Sequence, residues 1–353
     1  MSTYTLFEDD LDHVLAQTHK LWDELRGGRI FITGGTGFFG VWFLETFLRA
    51  NEEFALKAEA VVLTRNPEAF ARRLPNLADD AAIQLHAGDV RDFTFPAGPF
   101  THVIHAATDA SARLNEQSPL VMFDTIVRGT DRALEFASVC GCQKFLLTSS
   151  GAVYGTQPPH ITNMPEDHWG GPDPQSPSSA YGEGKRVAEM LCGIYHRRRG
   201  LDTRIARSYA LVGPYLPLDI HFAAGNFLRS AIDGNPIHIA SDGRAVRSYI
   251  YAADSAIWLW NILFRGQTCR PYNVGSDQAV SIRELADAVA ELTEPRVQVN
   301  VAKAVDPSKP PHYYVPNVER ARTELGLDLH FTLSEALRRT LHWYQQLASV
   351  SCN

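Results

Sequence analysis

Tyr181 and Lys185 stand four residues apart in "SAYGEGKRVAEMLCGIYHRRR". On a helix, positions i and i+4 share one face, so a phenol and an ammonium would point at the same place. A nearby cation draws a phenol's pKa down toward the range of a general base. Upstream, "KFLLTSSGAVYG" runs from an apolar stretch into Thr148, Ser149 and Ser150. A Tyr–Lys pair alone is common by chance. With hydroxyls waiting at the end of a strand before it, the pair suggests proton exchange with a substrate alcohol. The plainer reading is that Ser149 and Ser150 only finish the strand.

A second chemical signal is the glycine run Gly34-Gly35-Thr36-Gly37-Phe38-Phe39-Gly40, with glycines at 34, 37 and 40. It follows the apolar strand "RIFIT" and opens the helical "VWFLETFLRAN". Glycine allows a tight turn and close backbone approach to a pyrophosphate, which then meets the free N–H groups of the helix start. The second strand ends in Leu63-Thr64-Arg65, with no acid to accept the ribose 2′-hydroxyl of NAD. Arg65 suits the 2′-phosphate of NADP, or is exposed, or stacks on adenine, so NAD(P) stands with NAD versus NADP open. Asp89 and Val90, in "GDV", follow the third strand. Asp89 either accepts the adenine amino group or caps a helix.

These groups need a scaffold. Strands are predicted in "RIFIT", "AEAVVLTR", "AAIQLHAGDV", "THVIHAAT", "KFLLTSS" and "DTRIARSYAL", with helices between, notably over 117–140 and 179–199. Apolar strands alternating with helices imply an α/β fold: a Rossmann-type, doubly wound parallel sheet. Leu11, Val14, Leu15, Leu21, Trp22 and Leu25 recur at roughly helical spacing, giving a helical extension over 1–26. The dinucleotide-binding domain is expected over 27–207 plus about 246–275. A smaller C-terminal, substrate-binding lobe takes about 208–245 and 276–353 and ends in the amphipathic "LSEALRRTLHWYQQL". The Pro- and Gly-rich segment 156–178 is too polar for core and too long for a plain turn, so it is either functional or disordered. Arg197-Arg198-Arg199 before Gly200 read as a helix C-terminus rather than a nucleic-acid patch.

The 353 residues are 45% hydrophobic, enough for a large core, and the net charge of −7 argues against a nucleic-acid footprint. Five cysteines (Cys140, Cys142, Cys192, Cys269, Cys352) show no zinc spacing and suit a reducing compartment. His221, His238 and His312 show none either. No metal is expected. The N-terminus lacks a signal-peptide core and no apolar run approaches a membrane span, so a cytoplasmic protein is expected.

The motifs "TGGTGFFG", "GDV", "HAA", "TSSGAVYG", "SAYGEGK", "GP" at 213–214, "RSYIYAAD" and "YNVGS" occur in one order from residue 30 to about 275. Together they resemble the extended short-chain dehydrogenase/reductase family, in its NAD-dependent epimerase/dehydratase branch that modifies nucleotide sugars. "VERARTELGL" resembles that branch's closing segment. The resemblance implies that Ser150 holds the reacting sugar hydroxyl, Tyr181 takes its proton, and Lys185 lowers the tyrosine's pKa and bonds the nicotinamide ribose. It places Gly34, Thr36, Gly37, Phe38, Phe39, Gly40, Arg65, Asp89, Val90, Ala106, Ala107 and Thr108 against NAD(P). It places Asn226, Phe227, His238 and Arg247 against the nucleoside diphosphate sugar, with Arg247 on the diphosphate; an ion pair of Arg247 with Asp254 is the plainer alternative. It also implies a homodimer through helices 117–140 and 179–199.

Three departures refine this. The 4,6-dehydratases of the branch carry Asp-Glu where this chain has Gly151-Ala152, and a decarboxylase carries Glu at Ala152. Ile126 and Ala210 replace frequent asparagines. The expected activity is C4 epimerisation of a nucleotide sugar. The alternatives are an NADPH-dependent 4-ketoreductase, a dehydratase using displaced acids such as Glu166 or Asp167, and a non-catalytic dinucleotide-binding protein.

Overall fold

The computed structural model describes residues 7–108, 112–220 and 222–351; His221 and Cys352 lie outside them. In chain order, α1 (Glu8–Thr18) precedes β1 (Arg29–Thr33), α2 (Phe38–Glu53), β2 (Glu59–Thr64), α3 (Pro67–Arg73) and the single turn α4 (Pro75–Ala78). Next come β3 (Ile83–Ala87), β4 (His102–His105), α5 (Ala112–Gln117), α6 (Pro119–Val139), β5 (Lys144–Ser150), α7 (Ala180–Arg199) and β6 (Thr203–Ser208). The remainder holds β7 (Leu211–Val212), α8 (Ala223–Ile232), β8 (Ile237–Ile239), β9 (Val246–Arg247), β10 (Ile250–Tyr251), α9 (Ala252–Arg265) and β11 (Pro271–Val274). It closes with β12 (Val280–Ser281), α10 (Ile282–Ala290), β13 (Val299–Val301), β14 (Tyr313–Tyr314), α11 (Glu319–Leu325) and α12 (Leu333–Ser351).

Two compact units result. The first comprises residues 1–153, 171–207 and 256–272, and the second 154–170, 208–255 and 273–353. A seven-stranded sheet runs in the order β11-β6-β5-β4-β1-β2-β3. Its pairs from β3 across to β5 are parallel, with Ile30 opposite both Ala60 and His102. This is the expected doubly wound sheet. β4 and β5 are buried along nearly their whole length, as strands covered on both faces must be. The strand order reverses between β1 and β4. In such sheets the crevice beyond the carboxyl ends of the strands at that point takes the ligand.

One face of the sheet packs α6 and α7 through Phe31, Val103, Ile126, Leu134, Phe136, Phe145, Leu147, Ala188 and Cys192. Pro119 starts α6 where its missing N–H costs nothing, so the predicted 117–140 helix is α6 with the separate α5 before it. α7 ends at Gly200, whose φ of +70° lets its N–H reach His196 O at 2.8 Å. All six apolar residues singled out in the N-terminal extension are buried. They do not share one helix: α1 stops at Thr18, whose hydroxyl accepts from Trp22 Nε1 at 3.0 Å, and a 3-10 turn carries Trp22–Leu25. Trp22 packs on Trp260 of α9 at 4.6 Å between centroids, and Trp260 Nε1 donates to Thr46 on α2 at 2.8 Å.

In the second unit, short strands pair as β7–β10, β12–β9–β14 and β8–β13. The start of the long loop is pinned there. Asn273 accepts from Tyr154 Oη at 2.8 Å and donates to Met164 O and Asn317 O, both at 2.8 Å. Gln157 accepts from Val315 N at 3.0 Å. The loop's polar residues therefore satisfy backbone groups instead of avoiding structure. Trp169, near its end, is 97% exposed.

Candidate active site

Ser150, Tyr181 and Lys185 meet at the carboxyl end of β5. Tyr181 and Lys185 occupy consecutive turns of α7, and the Tyr181 phenol lies near Ser150. Lys185 Nζ lies 5.9 Å from the Tyr181 ring centroid. It donates to Thr108 Oγ1 at 2.9 Å and to Thr148 O at 2.8 Å. Thr108 thus reaches the site from the end of β4. Burial pushes the Tyr181 phenol up, offset in part by Ser150; burial lowers Lys185 to about 8, offset in part by Glu189. A buried phenol resists ionising and a buried ammonium gives up its proton more readily, so the expected lowering of the Tyr181 pKa by Lys185 is not found here: burial outweighs it.

The glycine turn sits at the reversal between β1 and β4. Gly34 has φ +76°, and a Cβ there would lie 2.5 Å from the Ala106 carbonyl carbon. A Cβ on Gly40 would lie 2.3 Å from Gly34 O. Those glycines let strand ends and helix close up. Gly37 differs: it is exposed, and a Cβ there would meet only Gly34 O at 3.4 Å. Gly37 caps α2, and no side chain binds the first N–H groups of that helix. A flat, glycine-faced helix start of this kind fits a pyrophosphate. Thr36 contributes its carbonyl to Arg73 at 2.9 Å, while Phe38 and Phe39 pack edge to face at 5.7 Å.

The other residues singled out for the cofactor divide by setting. Arg65 is exposed after β2. Asp89 is bound by Arg91, which donates from its backbone N (3.0 Å) and from Nε (2.8 Å). The Arg91 side-chain bond, more than any other contact, holds the Asp89 carboxyl below the usual range. No helix begins at Asp89, so it is not a helix cap. The Val90 side chain belongs to the core. Ala106 N donates to Thr33 O at 3.1 Å and Ala107 N to Thr33 Oγ1 at 3.2 Å.

Three further residues belong to this site. Asn115 on α5 accepts from Tyr181 N at 3.0 Å and donates to Ser178 O at 2.7 Å, seating the start of α7 from far along the chain. His105, in "HAA", is buried between Thr33 and Thr130. Glu189 accepts from Ser149 and from Arg207. For Glu189, its i+4 spacing from Lys185 was the available clue. Ile126 fills core against Gly184.

The substrate-side candidates belong to the second unit. Arg247 Nη1 donates to Val246 O at 2.8 Å and His312 O at 3.1 Å, and the guanidinium lies 5.9 Å from the Tyr314 centroid. It has no carboxylate partner among the described residues; Asp254 accepts from His330 N and Phe331 N instead. His238 is exposed on β8 and Phe227 is buried on α8. The Asn226 amide, oriented to use its donors, reaches Ile220 O at 2.7 Å and Leu218 O at 3.1 Å. Glu166 is buried, accepts from Asn273 N at 3.0 Å and faces Arg320 at 3.9 Å; Asp167 is exposed.

The sequence matches the NAD dependent epimerase/dehydratase family over residues 30–275. The chain belongs to that family. It is therefore an enzyme of the extended short-chain dehydrogenase/reductase type, and its cofactor is NAD(P), which the glycine turn fits. UDP-glucuronic acid decarboxylase 6 of Arabidopsis thaliana is 30% identical over 309 residues, covering 88% of this chain and 86% of that protein. Among solved structures, UDP-glucose 4-epimerase of Thermotoga maritima superposes with a TM-score of 0.75 at 21% identity, covering 91% of this chain and 99% of the other. The dTDP-glucose 4,6-dehydratase of Streptomyces venezuelae, solved with NAD, gives 0.75 at 23%, covering 91% and 98%. Among the described residues no helix is long and apolar enough to cross a membrane.

Proposed function

We propose that the protein is an NAD(P)-dependent epimerase of a nucleoside diphosphate sugar, acting at C4 through a keto-sugar. The observation that supports this most is the placing of Tyr181 beside Ser150 at the end of β5, with Lys185 one turn further along α7 and bonded to Thr148 O of that strand. Ser150 holds the C4 hydroxyl, and Tyr181 accepts its proton. Lys185, held by Thr108 and Thr148, stabilises the phenolate that this requires. When bound, NAD(P) accepts the sugar's hydride and returns it. The keto-sugar rotates in between, so that C4 receives the hydride on its opposite face, and Tyr181 gives the proton back to the C4 oxygen. Arg247 serves the diphosphate, with Asn226, Phe227 and His238 on the nucleotide side.

The named relatives include decarboxylases, but Ala152 puts a methyl where an acid is needed, and its N–H donates to Ser150 Oγ at 3.2 Å. Glu166 is engaged inside its own unit, which disfavours a displaced-acid dehydratase. Arg65 favours the 4-ketoreductase as the second reading. Exposed Leu120, Val121, Met190 and Ile194 on α6 and α7 support a homodimer through those helices, and the free cysteines support a cytoplasmic location.

Mass spectrometry of products from a panel of UDP-, dTDP-, CDP- and GDP-sugars tests the reading. An epimer of unchanged mass with no net cofactor use supports it. A gain of two hydrogens from NADPH gives the ketoreductase. Loss of water or of carbon dioxide overturns both.

A further inference from the structure

Beneath the Tyr181–Lys185 face lies a buried ionic cluster. Ser149 Oγ donates to Glu189 Oε1 at 2.6 Å. Arg207, on β6, donates to Glu189 from Nε at 2.9 Å and from Nη2 at 2.7 Å. The Arg207 and Glu189 side chains are 13% and 12% exposed. Three elements therefore converge on one carboxylate: the tip of β5 beside Ser150, the helix that carries Tyr181 and Lys185, and the neighbouring strand β6. Glu189 follows Lys185 by one helical turn.

We propose that Glu189 is a positioning residue for the Tyr181–Lys185 pair: it supplies the fixed negative charge beside Lys185 and locks α7 against the strand end bearing Ser150. This rests on the reading of Tyr181 and Lys185 given above. Lys185 itself has only neutral acceptors in contact, Thr108 Oγ1 and Thr148 O. The other titratable groups facing it are neutral near pH 7. His105 on β4 is driven to about 3 by burial and by Lys185, and burial raises Tyr181 on α7. Glu189 is thus the group that opposes the burial of the ammonium, while Arg207 on β6 tempers its charge. Bidentate contact from Arg207 leaves the carboxylate a single geometry, and Ser149 hands that geometry to β5.

The sign of the effect is fixed. Without the Glu189 charge, Lys185 loses its proton at lower pH, so the alkaline limb of the kcat profile moves down. Carbon-13 NMR of protein labelled at lysine, with Lys185→Met assigning the resonance, reads the titration directly and independently of turnover. Glu189→Gln is expected to lower the Lys185 midpoint by on the order of one unit, the usual effect of losing one nearby opposite charge, and to move the kcat limb with it. Glu189→Asp should recover part of the shift. Ser149→Ala keeps the charge and should lower kcat with the limb unmoved. Should Glu189→Gln fail to fold because Arg207 has lost this carboxylate, the Glu189→Gln/Arg207→Gln protein removes both members of the ion pair and should shift the limb the same way by less. An unmoved Lys185 midpoint in either protein, with Lys185→Met still inactive, overturns the positioning role alone. Full turnover in Lys185→Met overturns the underlying reading instead.

Discussion

His105 Nδ1 lies 2.8 Å from Thr33 Oγ1, and its Nε2 lies 3.1 Å from Thr130 Oγ1. The ring joins the ends of β4 and β1 to α6, directly behind the alanines that abut the glycine turn. Burial, then Lys185, lowers its pKa from 6.5 to about 3. The folded protein keeps this histidine neutral while the unfolded chain protonates it. Its contribution is therefore complete above pH 6.5 and is lost progressively as pH falls toward 3. His105→Gln should be less stable at pH 7, with a shallower loss on acidification. Urea midpoints at pH 7, 5.5 and 4.5 measure it; parallel curves for the two proteins would rule the effect out.

Tyr181→Phe removes the proton acceptor and leaves the glycine turn untouched. Turnover should fall by ~10²-fold or more while NAD(P) affinity stays near wild type. Single-turnover rates and fluorescence titration of the cofactor separate the two, and wild-type turnover in the variant would remove Tyr181 from the chemistry.

Gly34 and Gly37 should fail differently. Gly34→Ala forces a side chain into a φ of +76° and against Ala106 backbone at 2.5 Å, so the strand ends must part. It should cost at least about 1–3 kcal/mol of stability and cofactor binding with it. Gly37→Ala meets only Gly34 O at 3.4 Å, so its melting temperature should hold while NAD(P) affinity drops. Calorimetry with and without cofactor distinguishes them. An equal loss of stability in both variants would deny Gly37 its open face.

What was legible in the sequence follows from physical range. β5 occupies Lys144–Ser150, the whole of "KFLLTSS", because an uninterrupted apolar run ending in hydroxyls has few other uses. The Tyr181–Lys185 face and the Gly200 cap were equally readable, since each depends on residues within one turn. The N-terminal extension showed its buried positions but not its break, because the Thr18–Trp22 bond that shapes it depends on side-chain geometry. Asn115 was invisible: its partner Tyr181 is distant in sequence and no local pattern marks the contact. The long loop could be read only as functional or disordered for the same reason, its hydrogen bonds going to Asn273, Val315 and Pro316 much later in the chain.

Arg65 stands exposed after β2, and Arg73 reaches the glycine turn through Thr36 O at 2.9 Å. The sequence has no acid directly after β2, where one would favour NAD. Arg65→Asp should shift preference from NADP toward NAD, since a carboxylate repels a 2′-phosphate and accepts a ribose hydroxyl. The ratio of dissociation constants for the two cofactors is the measurement. An unchanged ratio would place Arg65 away from the adenosine ribose.

Arg247 combines a partly buried guanidinium with no carboxylate beside it. Its two carbonyl contacts, Val246 O and His312 O, orient the side chain without neutralising it. Burial holds it somewhat below the ordinary arginine value, opposed by Tyr249 and Tyr314, yet far above neutrality. A planar cation in that setting suits a bidentate contact with diphosphate oxygens. Losing a charged hydrogen bond costs roughly 1.5–3 kcal/mol, equivalent to roughly 10- to 150-fold in affinity. Arg247→Met should therefore raise KM for the nucleotide sugar by about that factor while sparing NAD(P) affinity. Arg247→Lys should recover only part, because a point charge lacks the fork. Loss of the two carbonyl bonds will lower the stability of both variants, so melting curves set the temperature at which binding is compared. Isothermal titration of the three proteins with nucleotide sugar, and separately with cofactor, then decides. If wild type and Arg247→Met bind the sugar nucleotide equally, the arginine serves only to join β9 to the segment before β14, and the diphosphate must be held elsewhere.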